Sequence, residues 1–120
     1  MAAIRSYTTV EQSRKLADRL PLESADMSYL SEESIVPKVN YNGIVFFNSE
    51  EEKPSTLIPC WSLAALLGVL PYPYIEQNYK GKWICRVEHE NTTYLWEDSN
   101  LVDACVAMIE KLNELNLLLL

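Results

Sequence analysis

The sequence predicts an α+β fold: an antiparallel meander of three or four strands packed by a C-terminal amphipathic helix and a short central helix, in the order α-β-α-β-β-β-α. Three observations carry this. Leu101, Ala104, Cys105, Met108, Ile109, Leu112 and Leu115 recur at helical spacing, the strongest periodic signal in the chain. Ahead of them, β-rich runs alternate with turn residues at Lys80-Gly81-Lys82 and His89-Glu90-Asn91. Between the termini lies a 14-residue apolar stretch, Leu57 to Leu70, too short for the ~20 residues that span a bilayer, so it reads as core.

The elements follow in order. Thr8 and Glu11 stand in the S/T-x-x-E arrangement of a helix start, and Val10, Ser13, Leu16, Ala17 and Leu20 continue at helical spacing. This predicts a first helix from about Thr9 to Leu20, stopped by Pro21. Leu22 to Lys38 is polar and acidic with scattered Met27, Tyr29, Leu30, Ile35 and Val36, the pattern of a structured loop pinned by a few apolar contacts. Val39 to Asn48 reads as a strand, since Ile44, Val45, Phe46 and Phe47 are bounded by Asn42-Gly43 and Asn48-Ser49. Glu50 to Pro54 is a solvated connection.

Ser62 then precedes a short apolar helix, Leu63 to Leu67, with Gly68 as its left-handed stop. Tyr74 to Tyr79, Trp83 to Glu88 and Thr92 to Trp96 form the meander, with Trp83, Cys85 and Val87 on one face. Ser99 or Asn100 caps the last helix, and Asp103 suits its first turn. Leu117 to Leu120 pack against the domain or a partner.

The chain has 120 residues, 48% apolar and 22% charged, which fits a single domain spanning 1–120. Surface scaling gives a folded area of about 6,600 Å² against about 20,000 Å² unfolded, enough for a core without staples. A net charge of −7 argues against nucleic acid or anionic membrane as partner. Residues 1–20 sum to +2, 21–53 to −5, 54–86 to +2 and 87–120 to −6; opposite faces that differ in sign would suit head-to-tail or self-complementary association, while a fold that intermixes the charges would not. Met1 to Thr9 carries no apolar signal run, which predicts a cytoplasmic protein.

Sharp chemistry is scarce. Cys60, Cys85 and Cys105 match neither a disulfide framework nor metal spacing, and they read as reduced, buried thiols. A cysteine enzyme would need Cys60 with His89, the only histidine, and Glu90; Cys60 instead sits between Pro59 and Trp61 in an apolar run, where burial makes a thiol inert. Glu32, Glu33, Glu50, Glu51 and Glu52 lack the spacing of a calcium loop, and Gly43, Gly68 and Gly81 form no phosphate-binding motif. The expectation is therefore no enzyme, no metal and no cofactor.

Helix, three-stranded meander and helix also occur in double-stranded RNA-binding domains. Those domains place lysines at the start of the last helix, where this chain has Glu97, Asp98 and Asp103. The surface that invites a partner is Pro71-Tyr72-Pro73-Tyr74-Ile75 through Tyr79, because tyrosines on a proline-stiffened segment offer contact area at small entropic cost. Tyr72, Tyr74 and Tyr79 are the candidate binding residues, although scattered aromatics usually finish a core, and the favoured reading of these rings is that they cover the end of the central helix. Trp61, Trp83 and Trp96 read as core rings, each needing a partner for its indole donor.

Ala25-Asp26-Met27, Ile58-Pro59-Cys60-Trp61-Ser62-Leu63-Ala64-Ala65-Leu66-Leu67, Lys82-Trp83-Ile84-Cys85-Arg86 and Asp103-Ala104-Cys105-Val106-Ala107-Met108-Ile109 carry a resemblance. From about Glu11 to Leu115 the chain resembles a family of short uncharacterised proteins encoded by phages and prophages of Bacteroidales bacteria, most specifically in its Pro-Cys-Trp-Ser-Leu stretch. It departs from that family at Leu101, where members carry proline. The resemblance implies a mobile-element origin and a cytoplasmic, host-cell setting, and brings no catalytic or binding residues with it. The expected function is a non-catalytic interaction protein that binds a protein partner or itself. The alternatives are an acidic inhibitor that mimics nucleic acid, or a small cysteine-dependent enzyme.

Overall fold

A computed structural model describes residues 5–31, 34–37, 40–41, 44–45 and 58–118, with side chains described for 5–29 and 58–118. Helix α1 (Val10–Ala17) begins one residue later than the Thr8/Glu11 pattern implies. Two capping patterns overlap in the sequence, and the one that forms is Thr9 with Gln12: Gln12 N–H donates to Thr9 Oγ1 at 3.1 Å while the Gln12 side chain accepts from Thr9 N–H at 3.0 Å. Thr8 is withdrawn from capping because it is fully buried beside the segment Ile58–Cys60, where its N–H donates to the Trp61 carbonyl at 3.0 Å.

After a 3-10 turn (Leu22–Ser24), the stretch expected as a loop contains strands β1 (Met27–Ser31) and β2 (Ser34–Pro37). β1 pairs antiparallel with β2 on one side and with β5 (Ile58–Cys60) on the other, giving a sheet of order β2-β1-β5. Within 39–48, β3 (Asn40–Tyr41) and β4 (Ile44–Val45) pair with each other in place of one continuous strand. Phe46, Phe47, the acidic residues Glu32, Glu33 and Glu50 to Glu52, and the terminal Leu119 and Leu120 lie outside the described residues.

Helix α2 (Leu63–Val69) is capped by Ser62, whose side chain accepts from Ala65 N–H at 3.2 Å. Gly68 lies inside the helix and is not its left-handed stop. Pro71 ends it instead: proline disfavours the helical conformation in the residue before it, and Leu70 is extended at φ −74°, ψ 138°.

The meander is β6 (Tyr74–Gln77), β7 (Trp83–His89) and β8 (Thr92–Asp98), antiparallel in the order β6-β7-β8. Asn78 Oδ1 accepts from Lys80 and Lys82 N–H at 3.0 Å each, and Gly81 supplies the φ of 81° that closes the β6–β7 turn. Cys85 and Val87 face inward, at 0% and 1% exposure, and helix α3 (Leu101–Glu114) covers them. Of the two caps the sequence allows for α3, Asn100 is used, accepting from Val102 N–H at 2.9 Å and Asp103 N–H at 3.4 Å.

Helix α3 is buried more widely than its stripe because it lies against β7 and β8 on one side and α2 on the other. Val102 and Val106 are therefore core residues as well. Its end is a left-handed Asn116 (φ 57°), with Leu117 N–H bonded back to the Leu112 carbonyl at 2.8 Å and Asn116 N–H to Asn113 at 3.1 Å. Leu117 and Leu118 thereby pack on the core. At the other end of the helix, Asp103 accepts hydrogen bonds from Arg5 and from Gln12 Nε2, tying the N-terminal segment and α1 to α3. Among the described residues no helix is long and apolar enough to cross a membrane.

Candidate functional site

The link from α2 to β6 builds an open cleft on the surface. Pro71 and Pro73 fix their own φ and bracket Tyr72, which is held in the left-handed region at φ 48°. For a bulky L-residue that conformation costs about 1–2 kcal/mol, and such strain concentrates at functional positions. The Tyr72 side chain is 97% exposed, so the favoured reading that this ring finishes the core does not hold.

One residue past Pro73, Tyr74 opens β6 opposite Arg86 of β7. Side chains alternate across a strand, so Cys85 and Val87 pointing to α3 send Arg86 and Glu88 to the opposite, uncovered face. The Arg86 guanidinium lies over the Tyr74 ring, 4.2 Å from its centroid. Tyr72, Tyr74, Arg86 and Glu88 enclose an open cavity of about 330 Å³. Arg86 Nε is buried and donates to nothing among the described residues. The cleft thus offers two aromatic faces, a guanidinium and a carboxylate.

Of the three tyrosines singled out by the sequence, the structure brings Tyr72 and Tyr74 together and leaves Tyr79 apart. Tyr79 is 93% exposed in the turn after β6, five residues along the chain from Tyr74, with Lys80 Nζ 5.7 Å from its ring centroid. Arg86 and Glu88 were missed, although the signal was present. Assigning Trp83, Cys85 and Val87 to one face leaves Ile84, Arg86 and Glu88 on the other.

The thiols lie elsewhere and are inaccessible. Cys60, Cys85 and Cys105 are free and fully buried. Cys60 sits in a polar knot: Thr8 Oγ1 donates to its sulfur at 3.5 Å, its own thiol bonds to the Thr8 carbonyl at 3.5 Å, and Ser13 Oγ lies 2.7 Å from Thr8 Oγ1. Burial pushes the Cys60 thiol above its usual pKa, outweighing those hydrogen bonds. Cys85 and Cys105 hydrogen-bond to each other between β7 and α3; that bond, reinforced by burial, pushes Cys105 up. His89 is half-exposed at the far end of β7, 3.8 Å from Glu90. Trp61 is the core ring expected, fully buried with its indole N–H donating to Ser24 Oγ at 2.9 Å, whereas Trp96 is 45% exposed. Among the described residues, no group of three or more His, Cys, Asp or Glu is arranged to hold a metal.

Comparison of the chain with protein-family models, with curated proteins and with solved structures returns no match.

Proposed function

We propose that the chain is a non-catalytic interaction protein that docks a protein partner in the cleft of Tyr72, Tyr74, Arg86 and Glu88. The observation that carries this reading is the strained, proline-bracketed Tyr72 standing 97% exposed beside a tyrosine–arginine stack. Tyrosine and arginine dominate binding energy at protein interfaces, and a ring held in place by its backbone loses little entropy when it is covered. Tyr79 lies outside the cleft and serves at most as a rim contact. A cytoplasmic setting and an origin in a phage or prophage, both resting on the sequence resemblance, belong to the same proposal.

Acidic mimicry of nucleic acid is less favoured. Glu76, Glu88 and Glu97 share the uncovered sheet face, but Ile84, Arg86, Tyr74 and Leu95 occupy its middle and break any continuous negative surface.

The test is affinity purification with the tagged wild-type chain and with a Tyr72→Ala, Tyr74→Ala variant, circular dichroism verifying that both are folded. The proposal expects a stoichiometric partner retained by the wild type and lost by the variant. Equal retention by both removes the cleft from the account.

A further inference from the structure

Strand β8 is an edge: among the described residues its only strand partner is β7. Proteins blunt such edges with proline, lysine, bulges or short length, since an unpaired row of N–H and C=O groups recruits another strand. The other edges of the two three-stranded sheets are guarded in this way. β2 contains Pro37, β5 contains Pro59, and the four-residue β6 is entered through Pro71 and Pro73. β8 has seven residues, Thr92-Thr93-Tyr94-Leu95-Trp96-Glu97-Asp98, with no proline or lysine and an unbroken register on β7. It also leaves Leu95 and Trp96 exposed at 53% and 45%.

We propose that β8 is a self-association edge, and that two copies pair their β8 strands antiparallel about a two-fold axis at Leu95, fusing two three-stranded sheets into one of six. The occupant is a second copy because the strand is complementary to itself. A two-fold axis perpendicular to the sheet keeps inward residues opposite inward ones, so the axis must pass through a residue. Centred on Leu95, all seven residues pair: Leu95 with its own copy, Tyr94 with Trp96, Thr93 with Glu97 and Thr92 with Asp98. Both acids meet threonine. Centred on Tyr94, Asp98 meets Glu90; centred on Trp96, Leu95 meets Glu97 and Tyr94 meets Asp98. Only the Leu95 register pairs all seven residues of the strand, sets Tyr94 against Trp96 as a stabilising cross-strand pair, and places both acids opposite threonine.

On the uncovered face this register extends the Tyr74–Arg86 row through Leu95 to Leu95 of the second copy, so the apolar contact lies at the centre of the new sheet. Each copy carries a net charge of −7, so long-range repulsion opposes the pairing and added salt strengthens it. Tyr74 lies two strands from this surface, although Arg86 of the cleft stands opposite Leu95.

The test is sedimentation equilibrium of the purified chain over a concentration series, at low and high salt. The expected result is a mass moving from 13.8 kDa toward twice that value, more readily at high salt. Leu95→Lys places like charges opposite each other at the axis and gives a monomer whose circular dichroism matches the wild type. Thr93→Lys faces Glu97 of the second copy and tightens the dimer about 3- to 10-fold, while Thr93→Glu loosens it by a similar factor. A Tyr72→Ala, Tyr74→Ala variant keeps the dimer. A wild-type chain still monomeric at millimolar concentration overturns the proposal, as does a dimer unchanged by folded Leu95→Lys. A dimer insensitive to the sign of charge at position 93 overturns the register.

Discussion

Tyr29 illustrates how one hydroxyl can hold distant segments together. Its O–H donates to the Thr8 carbonyl at 2.7 Å, next to the shared hydroxyls of Thr8 and Ser13 and the Cys60 thiol. Burial, with the neighbouring Cys60 second, pushes its pKa up from 10.0 to about 12. The folded state therefore grips the phenol proton more tightly than the unfolded chain does. Stability from this group is complete below the unfolded value of about 10 and is lost as pH rises through about 12. Tyr29→Phe should cost about 1–2 kcal/mol at neutral pH by stranding the carbonyl, and should flatten the alkaline loss of stability. Urea midpoints for both chains across that pH range measure it. A variant as alkali-sensitive as the wild type would assign the loss to another group.

At the level of elements, the β7–β8 turn places both Glu90 and Asn91 in the left-handed region, at φ 47° and 67°, as a two-residue hairpin of matching twist requires. Asparagine tolerates that conformation and glutamate does not, so Glu90→Asn should stabilise the fold by about 0.5–1 kcal/mol in thermal or urea unfolding. This hairpin, the meander and α3 were legible in the sequence because their signals are local: a turn between adjacent strands, a continuous apolar stripe, an asparagine cap. The β2-β1-β5 sheet was not, because β1 finds its second partner some thirty residues away, across a pairing no local pattern encodes. Thr8 and Thr9 offered two capping registers, and tertiary burial of Thr8 decided between them. Gly68 looked like a stop, but the Leu70–Pro71 bond supplied a stronger one. For the candidate site, the tyrosines were legible from their prolines. Arg86 and Glu88 needed the β6–β7 register before their place beside Tyr74 could be seen.

Across the whole molecule, helix α3 holds the account together. It covers one face of the meander, receives α2 on its other side, and buries Cys85 and Cys105 where they meet, while Cys60 is enclosed in the knot beneath β1. The three thiols are consumed as packing, and the features left open among the described residues are the sheet face with its tyrosine–arginine cleft and the β8 edge. The charge alternation along the chain, +2, −5, +2 and −6, does not by itself divide this surface, since Arg86 and Glu88 share one strand face. The direct measurement is alkylation of the native protein with iodoacetamide at neutral pH, followed by mass spectrometry. The account predicts no adduct on any of the three cysteines in the time that the urea-unfolded chain acquires all three. Modification of native Cys60 at the rate of a free thiol would contradict it.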